Sequence, residues 1–377
     1  MGKKILVSGG AGFIGCNLSL QLITRGHSVT VLDNLSEQIH GEGLKSPLYL
    51  SIKDKVDIYK GDVRSIDDWE ESLKGQDVVV HLAAETGTGQ SMYEISRYVD
   101  VNIQGTANLL HLLANREHSV KKVIVASSRA VYGEGKYYCE EHGNVYPLER
   151  RESDLINGHF ECTCPMCNRD VRLLATDEQS KLHPSSVYGI TKHNQEQMVL
   201  TVCRSLGIPA AAYRYQNVYG PGQSLNNPYT GILSIFSTQI KNNNSINIFE
   251  DGRESRDFVY IDDVVQATIL GIENDDFENE VFNVGSGRPI DVLTVARILV
   301  DKYGSEIEPI VTGNFRLGDI RHNYADLQNV KNVLGFLPKY SFEKGVDNFV
   351  GWVNSQDIAD DKYQLSIMEM KNKGFFK

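Results

Sequence analysis

Tyr188 and Lys192 stand four residues apart in "SVYGITKHNQEQMVLTVCRSLG", a stretch with helical periodicity, so the phenol and the ammonium fall on one helix face. A phenol beside an ammonium is a tunable base. The positive charge favours the phenolate and draws its pKa toward neutrality, which suits removal of a proton from a sugar or alcohol hydroxyl. Ser128, at the end of the apolar run "KKVIVASS", can hold the same oxygen. A Tyr-x-x-x-Lys pair by itself reads as a surface contact. It becomes chemistry when a nucleotide turn and a strand ending in Ser-Ser precede it.

Both precede it here. "KKILVSGGAGFIGCNLSLQLITRGHSVTVLDN" runs from a short apolar strand through a glycine turn into an amphipathic helix, then to a second strand ending in Asp33. Gly9, Gly12 and Gly15 keep a G-x-x-G-x-x-G spacing. Their missing side chains let the backbone approach a pyrophosphate at the helix N-terminus, where Phe13 and Ile14 form the first turn. Asp33, 21 residues after Gly12, can accept hydrogen bonds from the adenosine ribose hydroxyls and would repel a 2′-phosphate. The expected cofactor is therefore NAD. Alternation continues through "VDIYKGDV", "DVVVHLAA", a helix near "YVDVNIQGTANLLHLLAN" and "KKVIVASS", which implies a parallel, doubly wound α/β sheet. Ligands bind at the carboxyl ends of such strands, where Asn34, Asp62, Val63, Leu82, Ala83, Ala84 and Ser128 stand. With Asn102 they complete the candidate cofactor contacts.

A chain of 377 residues suggests about two domains. With 38 basic and 49 acidic residues the formal charge is −11, which disfavours nucleic acid and anionic membrane as partners and points to a small-molecule ligand. No apolar run approaches the roughly 20 residues of a membrane span, and the N-terminus enters a strand at once, leaving no room for a signal peptide. The expected location is cytoplasmic, where thiols stay reduced, so the six cysteines read as core residues, metal ligands or reactive groups. Cys16 and Cys203, in apolar helix-like surroundings, read as core.

The segments "GGAGFIG", "HLAA", "ASSRAVYG", "YGITK", "RYQNVYGPGQ", "GRESRDFVYIDDV" and "NVGSG", in this order, resemble the extended short-chain dehydrogenase/reductases, and within them the nucleotide-sugar epimerases and dehydratases. The resemblance spans roughly Lys3 to Val350. It implies a Rossmann-type domain over 1–212, regained at about 257–282, and a smaller C-terminal substrate-binding α/β domain over 213–256 and 283–377. It implies catalytic roles for Ser128, Tyr188 and Lys192, and substrate contacts from Asn217 and from Arg256 and Arg316, which would grip a sugar nucleotide's diphosphate. Thr88 and Arg129, in the matching segments, join the substrate contacts. The implied mechanism is removal of the C4 hydroxyl proton by Tyr188 with hydride transfer to NAD, rotation of the 4-keto sugar, and return of hydride to its other face.

Family dehydratases carry an Asp-Glu pair immediately after the position of Ser128; Arg129 and Ala130 stand there instead, so 4,6-elimination lacks its proton donor. Among family members, "HLAAETGTGQSMYEI" and "RYQNVYGPGQSLNNPYTGILSIFS" look most like epimerases acting on dTDP-L-rhamnose. Other sugar nucleotides, a 4-keto reductase or dehydratase, and a non-catalytic dinucleotide-binding regulator stay open as alternatives. Family members commonly form homodimers through a four-helix bundle that includes the helix of the catalytic tyrosine. The spacing of Met198, Val202 and Leu206 permits that and equally permits an internal core face.

Between the tyrosine of the "VYG" motif, Tyr132, and Tyr188 lie 56 positions, where plain family members need about twenty, so roughly 35 residues are inserted within 134–182. Cys139, His142, Cys164 and Cys167 stand there as two pairs with the two-residue spacer of metal knuckles, a set suited to tetrahedral zinc. Cys162 is a spare thiol that could compete. Ordinary thiols, a redox Cys-Pro-Met-Cys pair and a catalytic zinc remain the other readings.

Overall fold

The computed structural model describes residues 2–41, 46–227, 229 and 231–377. Seven parallel strands make the main sheet, in the spatial order Asn279–Val284, Ala210–Tyr215, Lys122–Ser128, Val78–His81, Lys4–Ser8, Ser28–Asp33, Asp57–Lys60. The chain winds outward from Lys4–Ser8 in one direction, then crosses back to begin again at Val78–His81. That reversal opens a crevice at the carboxyl ends of the strands, the usual ligand position in such sheets.

Successive side chains of each strand point to opposite faces. Ile5, Val7, Val29, Val31, Val78 and Val80 join a core under the helices Phe13–Thr24 and Ile261–Glu273. Leu6, Leu32, Val79, Val123 and Val125 join a second core, under Gly105–Asn115 and Val187–Leu206. Covered on both faces, the strands read as near-continuous apolar runs, as parallel strands do. Cys16 and Cys203 are both fully buried, as expected. Met198 and Val202 pack against the second core while Leu206 is exposed.

A smaller sheet joins Asn217–Tyr219, Ser255–Tyr260 and Pro289–Asp291, with His322–Asn323 paired to the second of these. Here the structure differs from the expected return of the chain to the nucleotide unit at about 257. The strand Ser255–Tyr260 stays in the smaller sheet; the return is made by the helix Ile261–Glu273 and the strand Asn279–Val284. The run "SRDFVY" is buried along its whole length, so its composition is the same whichever sheet takes it. No helix among the described residues is long and apolar enough to cross a membrane.

Candidate active site

The first strand delivers the glycine turn. Gly9 has φ +70°, and a Cβ there would lie 2.7 Å from the Ala83 nitrogen, so backbone and backbone meet where a side chain would intervene. At Gly15 a Cβ would lie 2.5 Å from the Gly10 Cα, which fixes how closely the helix starts against the turn. The helix Phe13–Thr24 begins at Gly12 with no side-chain cap, so its first-turn N–H groups face the crevice as a ready anion site. Asp33 sits beside them: Oδ2 accepts from the Ala11 N–H at 3.0 Å and Oδ1 from the Leu35 N–H at 2.9 Å. His40, buried, places Nε2 at 3.7 Å from Asp33 Oδ1.

Ser128 ends its strand with the hydroxyl accepting from the Ala130 N–H at 3.2 Å. The long helix starts at Ser186, whose hydroxyl accepts from the Gly189 N–H at 3.1 Å, and ends at Gly207 in the left-handed region. The Tyr188 N–H donates to the Ser91 hydroxyl at 3.0 Å, and the Tyr98 ring meets the Tyr188 ring edge-on at 6.5 Å. Burial raises the Tyr188 phenol above its ordinary pKa, while the Ser128 hydroxyl and the Arg129 charge favour the phenolate. Lys192 is drawn beneath: its Nζ donates to Gln195 Oε1 at 2.7 Å, and Gln195 Nε2 donates to the Thr106 hydroxyl at 2.8 Å. The Lys192 ammonium therefore has its own hydrogen-bond partner in Gln195, while the Arg129 charge lies close enough to favour the Tyr188 phenolate. Burial lowers Lys192 to about 7 against the opposing pull of Glu196. His81, bridging the Ser8 and Thr106 hydroxyls at 2.6 and 2.9 Å, is pushed down to about 3 by burial and the Lys192 charge, and so is neutral.

These groups share one cleft of about 1580 Å³. Its wall includes Gly9, Gly12, Phe13, Ile14, Gly15, Asp33, Asn34, Val63, Leu82, Ala83, Ala84, Thr88, Ser128, Arg129, Tyr188, Lys192 and Asn217. Four of the expected contacts stand off that wall. Asp62 is held by Arg64 and by the Asn34 amide, and the Arg64 bond is the main cause of its drop to about 2. Asn102 is fully buried: its amide donates to the Glu85 carbonyl and the Thr191 hydroxyl and accepts from the Glu85 N–H, which ties the loop after Ala84 to the Tyr188 helix. Arg256 spends its guanidinium on the carbonyls of Ser255, Ile320 and Arg321. Arg316 is paired with Asp319 at 2.7 Å and lies over the Phe249 ring.

Arg129 alone of the three arginines reaches the cleft, with Nε donating to Asn217 Oδ1 at 3.1 Å. Burial, and next the Arg256 guanidinium, press Arg129 down to about 9, still charged at neutral pH. The sequence reading missed the roof. Residues Gln356 to Ala359, Leu365 and Glu369 also line the cleft, and Glu369 accepts from the Tyr229 hydroxyl at 2.5 Å. No motif marks this C-terminal segment; it is placed by packing of Ile367, Met370 and Phe376 near Tyr93 and Phe249 and by bonds from Asn242 to the Ala359 carbonyl and from Tyr229 to Glu369.

The "NAD dependent epimerase/dehydratase family" matches residues 5–153 and 162–285, which is more than half of the chain. The chain belongs to that family. The interruption at 154–161 falls inside the segment read as an insertion. Among curated relatives, a dTDP-L-rhamnose 4-epimerase of Burkholderia thailandensis is 38% identical over 354 residues, covering 93% of this chain and 95% of the relative. Among solved structures of the fold, the UDP-N-acetylglucosamine 4-epimerase of Methanobrevibacter ruminantium, in complex with UDP-N-acetylmuramic acid, superposes with a TM-score of 0.75 at 32% identity. It covers 94% of this chain and 99% of that one. The UDP-glucuronic acid 4-epimerase of Bacillus cereus, in complex with UDP-glucuronic acid and NAD, gives a TM-score of 0.76 at 25% identity over 93% of this chain and 99% of that one.

Proposed function

We propose that this enzyme is an isomerase that inverts C4 of a nucleotide-activated hexose, with dTDP-L-rhamnose and its 4-epimer, the 6-deoxy-L-talose sugar nucleotide, as the substrate pair. The carrying observation is one cleft that holds an uncapped helix N-terminus over a glycine turn at one end and Tyr188 with Ser128 and Arg129 at the other. The first half fits NAD: the turn leaves room that a Cβ would fill, the N–H groups suit a pyrophosphate, and Asp33 suits a free ribose 2′-hydroxyl. Bound there, NAD would supply the hydride acceptor and donor for the sugar C4. Tyr188 takes the proton of the C4 hydroxyl and returns it to the 4-keto oxygen after the sugar turns, and Ser128 orients that oxygen. Lys192, with its Gln195–Thr106 support, is positioned at the same wall of the cleft.

Arg129 stands where the family's dehydratases have an acid, and its crowding by Arg256 is relieved by an anion. That favours a sugar nucleotide whose diphosphate or ring oxygens lie against Arg129 and Asn217. The identity to the Burkholderia relative supports the rhamnose reading over a UDP-sugar. The same proposal takes the enzyme as a cytoplasmic homodimer, with residues 1–212 and the return by Ile261–Glu273 and Asn279–Val284 as the cofactor domain.

The test is to incubate the purified enzyme with dTDP-, UDP- and GDP-sugars without added dinucleotide and to follow C4 inversion by NMR. Turnover of dTDP-L-rhamnose is expected, with NAD released on denaturation. Exclusive turnover of a UDP-sugar, or release of NADP, overturns the substrate or the ribose argument respectively. A second expectation concerns Gly189, where a Cβ would lie 2.6 Å from the Ala130 carbonyl oxygen and 2.8 Å from the Pro184 Cβ. Gly189→Ala must shift Tyr188 away from Ser128, and kcat should fall about a hundredfold with the fold retained. Parent-like kcat would show that this contact is soft.

A further inference from the structure

We propose that Cys139, His142, Cys164 and Cys167 form a structural zinc site that holds the 134–182 insertion in shape against the segments around Glu250 and Arg321. The four potential ligand atoms all lie within 4.8 Å of one another. Cys139 Sγ and Cys164 Sγ are each 3.6 Å from His142 Nδ1, and Cys139 Sγ is 3.8 Å from Cys167 Sγ. A tetrahedral ion with bonds of about 2.3 Å to sulfur and about 2.0 Å to nitrogen has S···S edges of about 3.8 Å and S···N edges of about 3.5 Å. These three separations match those edges, and no pair of the four atoms is more than 4.8 Å apart. A disulfide needs sulfurs at about 2.05 Å, so the pair Cys139–Cys167 is far from one.

The backbone presents these ligands from two tight turns. Tyr137–Cys139 pairs antiparallel with Gly143–Val145, and Gly143 at φ +70° closes the turn that carries His142. In the other, the Cys164 N–H donates to the Arg169 carbonyl at 2.8 Å and the Asn168 N–H to the Cys164 carbonyl at 2.9 Å, with Asn168 itself at φ +57°. Cys162 lies outside the set, its thiol facing Tyr137 and Glu134.

The apolar core of the insertion is small. Its core is Tyr137, Cys139, Val145, Cys162 and Cys164, flanked by Cys167, Val171 and Leu173, so half of these eight residues are cysteines. A unit of this size seldom holds its shape by apolar burial alone, and a metal crosslink supplies the missing folding free energy.

The site lies next to an ionic seam. Glu161, three residues before Cys164, accepts from Arg321 Nε at 2.9 Å, and Arg150 of the insertion pairs with Glu250 at 2.8 Å. The Arg321 carbonyl in turn accepts from Arg256, whose charge bears on Arg129 in the cleft. Zinc at Cys164 would thus fix the loop that carries Glu161 to Arg321, which Glu250 and Asp251 also hold.

The experiment is elemental analysis of enzyme purified without chelator, with cobalt(II) exchange of the full-length protein and the variants Cys164→Ser, Cys167→Ser and Cys162→Ser. About one zinc per chain is expected, with the visible absorption of a tetrahedral thiolate cobalt site after exchange. Cys164→Ser and Cys167→Ser should lose the metal or fail to fold, and Cys162→Ser should keep it. Because cobalt exchange of the parent needs no variant to fold, it decides the matter by itself. Metal far below one per chain together with no tetrahedral cobalt band, or full metal retention in Cys164→Ser and Cys167→Ser, overturns the site. So does a native mass two hydrogens short for each of one or more disulfides among these cysteines. None of these readouts depends on which sugar the enzyme turns over.

Discussion

Tyr188→Phe is expected to fold, to keep its dinucleotide, and to lose turnover by about two to four orders of magnitude. The substitution removes one oxygen from a ring that stays packed edge-on against Tyr98 and leaves the Tyr188 N–H bond to Ser91 intact, so nothing structural is withdrawn. What is withdrawn is the group that the Ser128 hydroxyl and the Arg129 charge favour in its ionised form against the cost of burial. The measurement is kcat for C4 inversion beside the dinucleotide content of parent and variant. A variant with near-parent kcat would mean that another group moves the proton, and the mechanism proposed here would fail. A variant that lost dinucleotide as well would assign Tyr188 to binding rather than proton transfer.

The largest loss of stability is expected at Arg214. Its guanidinium pairs with Glu196 at 2.5 Å, with the two side chains 3% and 0% exposed, and also donates to the Tyr132 hydroxyl and the Glu178 carbonyl. Glu196 lies on the Tyr188 helix and also accepts from the Ser127 hydroxyl at 2.7 Å, so this pair joins that helix to the ends of two neighbouring strands. Arg214→Met leaves the Glu196 carboxylate buried without its cation. The cost of breaking such a pair from one side is about 3–5 kcal/mol, a large part of a total that is about 5–15 kcal/mol. Urea unfolding should show it as a lowered midpoint with an unchanged slope. The double variant Arg214→Met with Glu196→Leu should recover much of the loss, since no charge is then stranded. A single variant within about 1 kcal/mol of the parent would contradict this account of the pair.

Much of the enzyme is local, and what is local is legible in the sequence. The glycine turn, Asp33 at the end of the second strand, Ser128 at the end of the fifth and the four-residue step from Tyr188 to Lys192 each depend on short-range geometry. Strand ends and helix faces repeat with fixed periods, so spacing carries them. The two Cys-x-x-Cys/His pairs are local in the same sense, and only the fold brings Cys139 and His142 to Cys164 and Cys167.

Long side chains and distant segments follow other rules. Where a long cation ends depends on where its flexible stem finds partners: the Lys192 ammonium meets Gln195, and the Arg129 guanidinium meets Asn217 at the cleft. Arg256 and Arg316 sit in matching motifs, yet backbone carbonyls and Asp319 hold them off the cleft wall, because a guanidinium satisfies its five donors wherever acceptors converge. Asn102 was drawn into the same kind of local closure by Glu85 and Thr191. The run Ser255–Tyr260 was assigned to its sheet by pairing with strands far away in sequence, and the C-terminal roof of the cleft by packing on Tyr93 and Phe249. Sequence by itself determined the order of the elements and the residue types at their ends, since both follow from backbone period and chirality. Tertiary structure alone decided which charges face one another across the cleft, since that depends on contacts between residues far apart in the chain, such as Arg129 and Asn217, which no local pattern encodes.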